Sequence, residues 1–132
     1  MGPVRLLLDT HALIWWLLDD PKLPDAARGM IANPELPVFV SSASAWEILT
    51  KRRKGRLPEF GEIAESLEDY IRRSRFETLA ITFAHAAAAG RLPGPHNDPF
   101  DRMLIAQAVA ERLTVVTVDH VFADYGAETV WA

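Results

Sequence analysis

Short apolar runs alternate regularly with helix-like segments along all 132 residues, and this pattern leaves few possible folds. Strand-like runs are predicted at residues 4–8, 37–41, 77–81, 114–118 and 128–131. Buried parallel strands read as such continuous apolar runs, and the helices between them supply the crossovers that parallel pairing requires. The pattern predicts an α/β fold, an α/β/α sandwich with a mostly parallel central sheet of four to five strands, in a single domain over residues 1–132.

Helix signals fill the segments between these runs. Helices are predicted at residues 10–18, 25–32, 43–54, 62–75, 82–89 and 98–113, and residues 92–97 form a Pro/Gly loop. Ser41 or Ser42 can cap the helix over 43–54, and Gly55 can end it. The aromatic and aliphatic side chains of residues 15–18 and 60–71 fit either an ordinary core or an exposed patch that a partner covers.

Composition limits the environments in which the chain can act. The absence of cysteine excludes disulfides and thiolate metal sites, and it favours a reducing, cytoplasmic location. The longest strictly apolar run, residues 12–18, is much shorter than the stretch of about 18 residues that a membrane span needs, so we expect no membrane segment. Because residues 1–5 lead directly into the first strand-like run, we also expect no signal peptide.

The formal net charge of −4 argues against nucleic-acid binding, since contacts to phosphate usually come from basic patches. Two features weaken this exclusion. Five basic side chains lie close together: Lys51, Arg52, Arg53, Lys54 and Arg56. We favour a helix C-terminus stabilised by the helix dipole as their explanation, over a specific RNA contact. A cluster of carboxylates also becomes a phosphate site once it holds divalent cations.

Two aspartates directly follow strand-like runs. Asp9 follows residues 4–8, and Asp119 follows residues 114–118. Ligands of open α/β sheets bind at the carboxyl ends of the strands, so both carboxylates point into one crevice if these strands are neighbours. The simpler interpretations are a helix N-cap for Asp9 and an Asx turn for Asp119.

Three further acids lie beside core-forming sequence. Glu47 stands in an apolar stretch, where glutamate is rarely buried unless it is paired or bound to metal, although Lys51 four residues on offers a surface ion pair. Asp98 and Asp101 open the most apolar helix, where Asp98 is a typical N-cap and negative charge is favoured by the helix dipole. Gathering such acids in one place requires a cation, and all-oxygen ligands suit Mg²⁺ or Mn²⁺.

Four blocks of sequence carry a resemblance to a known family. They are residues 4–11 (VRLLLDTH), 42–48 (SASAWEI), 96–107 (HNDPFDRMLIAQ) and 114–119 (TVVTVD). Together they resemble the PIN-domain nucleases and, more narrowly, the VapC-type toxins of bacterial and archaeal toxin–antitoxin pairs. The resemblance spans nearly the whole chain in the right order and spacing, and the block over 96–107 is its most specific part.

The resemblance implies a PIN-like fold and the toxin of a type II toxin–antitoxin system. Its activity would be Mg²⁺- or Mn²⁺-dependent endonucleolytic cleavage of RNA by a homodimer, inhibited by a small antitoxin protein that occupies the groove. By motif match, the catalytic metal ligands would be Asp9, Glu47, Asp101 and Asp119, and Asp98 would be a supporting ligand.

Two other functions remain open from the sequence. The first is a catalytically inactive PIN-fold binding module. The full set of acids argues against it. The second is an Asp-based phosphotransfer domain, whose phosphatase form requires a second Asp two residues after Asp9, where the chain has His11. The four histidines, His11, His85, His96 and His120, are scattered and lie beside no Ser or Cys nucleophile, so we expect surface or turn roles for them.

Overall fold

Five short strands form the centre of the molecule in a computed structural model that describes residues 3–132. They are β1 (Leu6–Leu8), β2 (Val38–Ser41), β3 (Glu77–Leu79), β4 (Thr114–Val116) and β5 (Glu128–Val130). The sheet order is β3-β2-β1-β4-β5, and every neighbouring pair is parallel. The predicted parallel α/β/α architecture is therefore confirmed. Met1 and Gly2, on which the expectation of no signal peptide partly rests, lie outside the described residues.

Eight helices connect and cover the strands of the described chain. They are α1 (Thr10–Leu17), α2 (Asp25–Ala32), α3 (Ser42–Arg53), α4 (Gly61–Glu65), α5 (Leu67–Arg73), α6 (Phe83–Arg91), α7 (Pro99–Glu111) and α8 (Val121–Asp124), with a 3₁₀ turn over Pro58–Phe60. Among residues 3–132, no helix combines the length and the apolar character that crossing a bilayer demands.

The helix predicted over residues 62–75 is wrong as a single element. It divides at Ser66, whose backbone (φ −127°, ψ 36°) leaves the helical region. Ala64 before the break and Leu67 and Ile71 after it are all buried, at the i, i+3 and i+7 spacing that one continuous helix would also give. The periodic pattern therefore carries no signal for the break at Ser66. The short helix α8 was also not predicted, because four residues carry too little periodicity.

The core lies on both faces of β1. Leu6 and Leu8 belong to one buried cluster, and Leu7 belongs to the cluster on the opposite face with Leu104 and Phe122. This explains why the strand is apolar without alternation, since consecutive side chains of a strand point to opposite faces. Partly buried Trp15, Trp16 and Leu18 pack against the first cluster, so they belong to the core and form no separate exposed patch.

The loop between α6 and α7 is fixed from two sides. The Arg102 guanidinium donates to the carbonyls of Ala89 (3.2 Å), His96 (2.9 Å) and Leu92. On the other side, the backbone N–H of His96 donates to the Tyr125 hydroxyl at 3.3 Å. The same hydroxyl lies close over Gly94, so the loop and the helix start that follows it are held in one position.

Substitution of two glycines with similar backbone angles shows how tightly this loop is packed. Gly94 (φ +89°) and Gly126 (φ +92°) both adopt angles that disfavour side chains, but only at Gly94 would an added Cβ overlap the Tyr125 hydroxyl. We expect Gly126→Ala to lower the free energy of unfolding by about 1–2 kcal/mol for backbone strain. Gly94→Ala should lower the free energy of unfolding by about 1–3 kcal/mol more than Gly126→Ala does, because it also overpacks the loop. Urea denaturation measures both, and equal losses would show that Tyr125 does not restrain the loop.

Candidate active site

Asp9 is the buried carboxylate at the end of β1. It is the N-cap of α1, where Oδ1 accepts a hydrogen bond from the backbone N–H of Ala12 at 2.8 Å. Oδ2 accepts a second hydrogen bond from the Thr117 hydroxyl at 2.6 Å. Burial raises the pKa of Asp9, the two hydrogen bonds oppose that rise, and the nearby charge of Asp119 adds to it. The N-cap interpretation is therefore confirmed, and the carboxylate is also desolvated.

Thr117 ties Asp9 to Asp119. While its hydroxyl donates to Asp9, it accepts a hydrogen bond from the backbone N–H of Asp119 at 3.0 Å. The Asp119 side chain is exposed and accepts from the backbone N–H of Val121 at 3.0 Å, which is the predicted Asx turn. Because β1 and β4 are neighbours, the two aspartates reach the same edge of the sheet, as the sequence predicts. Thr117 is a site residue that no local sequence pattern predicts.

Glu47 is buried on α3 with only 5% of its surface exposed. Its Oε2 accepts from the Lys51 ammonium at 2.6 Å, so the ion pair predicted as one alternative is present. Its Oε1 is also buried, yet it has no hydrogen-bond partner among residues 3–132. A buried carboxylate oxygen without a partner is costly, and it requires an explanation in a folded protein.

Asp101 stands in the first turn of α7, and its Oδ2 is 3.0 Å from His96 Nε2. Burial raises the pKa of Asp101 to about 6, the His96 hydrogen bond and charge oppose the rise, and the charges of Asp98 and Glu47 add to it. Asp98 is exposed and caps α7 by accepting from the backbone N–H groups of Phe100 (2.9 Å) and Asp101 (3.0 Å). Three of the predicted acids, Glu47, Asp98 and Asp101, thus lie close enough together for their charges to interact.

Buried hydroxyl and amide contacts join the elements that carry these acids. The Thr10 and Ser44 hydroxyls are 3.0 Å apart and connect the start of α1 to α3. The Ser41 hydroxyl donates to Gln107 Oε1 at 2.6 Å and connects the start of α3 to α7. These contacts hold the helix starts of both acid groups at the carboxyl edge of the sheet.

The acids stand in two groups at that edge. One group is Asp9 with Asp119, and the other is Glu47 with Asp98 and Asp101. Among residues 3–132, no three Asp, Glu or His side chains lie close enough together to coordinate one ion. Asp9, Asp98, Asp101 and Asp119 all direct oxygens into hydrogen bonds with the protein instead.

One histidine, His85, does not have the surface or turn role that the sequence predicts. His85 is buried on α6, where it forms a reciprocal capping box with Thr82, and its Nε2 lies 2.9 Å from Glu111 Oε2. The prediction for His85 is therefore wrong. The contact of His96 with Asp101 was also missed, because a five-residue separation across a loop follows no helical spacing rule.

Comparison with known proteins defines the class of this fold and site. The sequence profile of the PIN domain matches residues 6–128. The chain therefore belongs to the PIN domain family, as the four sequence blocks predict. Ribonuclease VapC22 of Mycobacterium tuberculosis is 31% identical over 118 residues, which cover 86% of this chain and 86% of that protein.

Solved structures share the architecture. VapBC2 from Rickettsia felis, crystallised with a DNA fragment of its promoter, has a TM-score of 0.73 at 18% identity and covers 98% of this chain and 100% of that one. Mycobacterium tuberculosis VapC20, described as a Sarcin-Ricin loop cleaving toxin, has a TM-score of 0.66 at 18% identity, with 96% and 99% covered. At this identity the two structures establish the fold.

The raised pKa of Asp101 predicts a pH-dependent stability. Its ordinary value is 3.8 and its folded value about 6, so the folded chain binds this proton more tightly than the unfolded chain does. The group therefore lowers stability as pH rises between these values, and the full cost is present above them. In metal-free buffer, we expect Asp101→Asn to raise the free energy of unfolding above pH 7 by about 1–3 kcal/mol.

That gain should disappear below about pH 4, where both states hold the proton. Asp25→Asn, an exposed aspartate in the first turn of α2, is the control for removing one negative charge. Chemical denaturation across this pH range is the measurement. A gain for Asp101→Asn that is independent of pH would contradict the assignment.

Proposed function

We propose that this chain is the toxin component of a type II toxin–antitoxin system and acts as a Mg²⁺- or Mn²⁺-dependent endoribonuclease in the cytoplasm. The observation that carries the proposal is the coupled acid group of Glu47, Asp98 and Asp101, in which a buried Glu47 oxygen has no hydrogen-bond partner among residues 3–132. A divalent cation would supply a partner for that oxygen and offset the clustered negative charge.

The similar proteins support the substrate and the partner. The relative at 31% identity carries the name of a ribonuclease, and VapC20 is described as cleaving the Sarcin-Ricin loop. VapBC2 was solved in a complex bound to promoter DNA. We therefore propose RNA as the substrate, a cognate small antitoxin as the inhibitory partner and a homodimer as the active form.

The chemistry of the candidate ligands suits a hard divalent cation. Every candidate ligand is a carboxylate oxygen, which Mg²⁺ and Mn²⁺ favour. Under this proposal Asp9, Glu47, Asp101 and Asp119 hold the metal, and Asp98 supports it. Because no three acids converge as placed among residues 3–132, holding one ion requires the two acid groups to move closer together. Glu47 Oε1, which has no hydrogen-bond partner within these residues, is free to take a ligand position.

The reaction proposed is hydrolysis of a phosphodiester by in-line attack of water. When bound, a divalent cation lowers the pKa of water and offsets negative charge on a phosphoryl oxygen. The chain's own residues fix the geometry: Thr117 holds Asp9 Oδ2 and His96 holds Asp101 Oδ2. Water adds to phosphorus as the bond to O3′ breaks, and O3′ takes up a proton, leaving a 5′-phosphate and a 3′-hydroxyl.

Removing one charge from either acid group tests the catalytic assignment. Asp9→Asn and Asp101→Asn should each lower Mn²⁺-dependent RNA cleavage by at least about 100-fold, since each removes a proposed ligand. Asp25→Asn, on α2, should retain wild-type cleavage. The rate is measured on labelled RNA under single-turnover conditions, and full activity in either site variant would defeat the proposal.

Two variants that break the same ion pair test metal binding separately from activity. Mn²⁺ at about 100 times its Kd should stabilise the wild-type chain by about 2.7 kcal/mol, seen as a rise in Tm. Glu47→Gln should reduce this rise, because it removes a ligand charge. Lys51→Met, which also breaks the ion pair, should keep or enlarge it, because the competing ammonium is gone. No rise in the wild-type chain would favour the inactive binding module.

A further inference from the structure

The exposed indole of Trp46 is unexplained by the fold and by the acid site. This side chain on α3 has 65% of its surface exposed, although tryptophan is usually well buried. Its ring meets that of Phe100 edge to face, with centroids 5.2 Å apart and planes at 75°. Trp46 immediately precedes Glu47, and Phe100 immediately precedes Asp101. The aromatic pair therefore lies directly beside the coupled acids.

The same helix becomes basic toward its C-terminus, and the basic run divides into two parts. Lys51 pairs with Glu47, and the Arg52 guanidinium lies against Gly61 and the Leu57 carbonyl, so both are used within the fold. The other three are exposed, and within residues 3–132 none of them forms an ion pair with an acid: Arg53, Lys54 and Arg56.

Helical spacing aligns the aromatic and the basic features. Trp46, Leu49 and Arg53 follow one another at i, i+3 and i+7, which places them on one face of α3. Seven residues of helix rise by roughly 10 Å, so Trp46 stands about that far along the axis from Arg53. We call this face of Trp46, Leu49 and Arg53, together with the exposed Lys54 and Arg56 of the turn that follows α3, the α3 strip.

We propose that the α3 strip binds single-stranded RNA, with one unpaired base stacked on Trp46 and backbone phosphates held by Arg53 and its basic neighbours. The proposal rests on the ribonuclease function proposed above. An aromatic platform continued by cations is the arrangement that proteins use for single-stranded nucleic acid. A protein partner would need acids matched to the three cations as well as apolar cover for Trp46, whereas an RNA backbone carries a negative charge at every nucleotide.

The occupant must be unpaired because both faces of a base inside a duplex are already stacked. The strip begins beside the acids, where the scissile phosphate would lie, so the stacked base belongs to a nucleotide close to the cleaved bond. This places the cleavage site in a loop or a single strand, in keeping with the general preference of sequence-specific RNA recognition.

The first test is equilibrium binding of a short fluorescent single-stranded RNA by anisotropy, in Ca²⁺, with the RNA checked as intact on a denaturing gel. Trp46→Ala should weaken binding by about 10- to 100-fold, since it removes one base–aromatic stack. Trp46→Phe should restore most of the affinity. Phe83→Ala is the matched control, because Phe83 is an apolar aromatic with 91% of its surface exposed, on α6.

The second test is the salt dependence of the same binding constant. Arg53→Gln should reduce the slope of log K against log salt concentration by about 0.7, the value for one phosphate contact on a single strand. Trp46→Ala should not share this effect, because stacking releases no counterion. Arg91→Gln, at the exposed end of α6, is the control for loss of one positive charge.

Unchanged RNA affinity in Trp46→Ala would overturn the proposal. Altered dimer mass in Trp46→Ala would overturn it too, even with weakened RNA affinity, because the strip would then be a contact between copies of the chain. A fully base-paired RNA that binds as tightly as the single strand and loses as much on Trp46→Ala would also overturn it. Failure of the nuclease function is seen separately, as absence of cleavage by the wild-type chain in Mn²⁺.

Discussion

Buried carboxylates at one edge of a parallel sheet impose the main electrostatic cost on this fold, because burial disfavours their charged form. Burial raises the pKa of Asp9 and of Asp101, and neighbouring acids raise both further. Hydrogen bonds from Thr117 and His96 offset part of this cost, and the Lys51 ammonium balances Glu47. One buried oxygen of Glu47 has no hydrogen-bond partner within the described range, residues 3–132. The fold therefore keeps acids where stability alone would remove them.

The fold creates this edge through its core rather than through the acids themselves. Leu6, Leu7 and Leu8 are buried on both faces of the sheet, so β1 cannot move without exposing two clusters. Buried polar contacts then fix the helices that leave the edge: Ser41 to Gln107, and Thr10 to Ser44. Such contacts are directional, so they set positions that apolar packing alone would leave less defined.

The sequence predicts the parts of the fold and site that depend on local pattern. The strands, their mostly parallel pairing and the position of Asp9 and Asp119 after β1 and β4 follow from apolar runs and from the rule for strand ends. The capping roles of Asp9 and Asp98 follow from their place before helices. The sequence leaves the burial of Glu47 open, because its apolar neighbours Trp46 and Leu49 are themselves exposed.

The missed features depend on contacts between distant residues. Thr117 reaches Asp9 across 108 residues, and Ser41 reaches Gln107 across 66 residues. No local period encodes such pairs. The burial of His85 has the same origin, since its contact with Glu111 joins two helices that are distant in the sequence.

Anomalous diffraction from crystals soaked in Mn²⁺ tests most directly whether these acids share a cation. We expect an anomalous peak at coordination distance from Glu47 Oε1 and from an Asp101 oxygen, with further ligands from Asp9 or Asp119. Peaks confined to other surfaces, with Glu47 Oε1 still lacking a ligand, would contradict it.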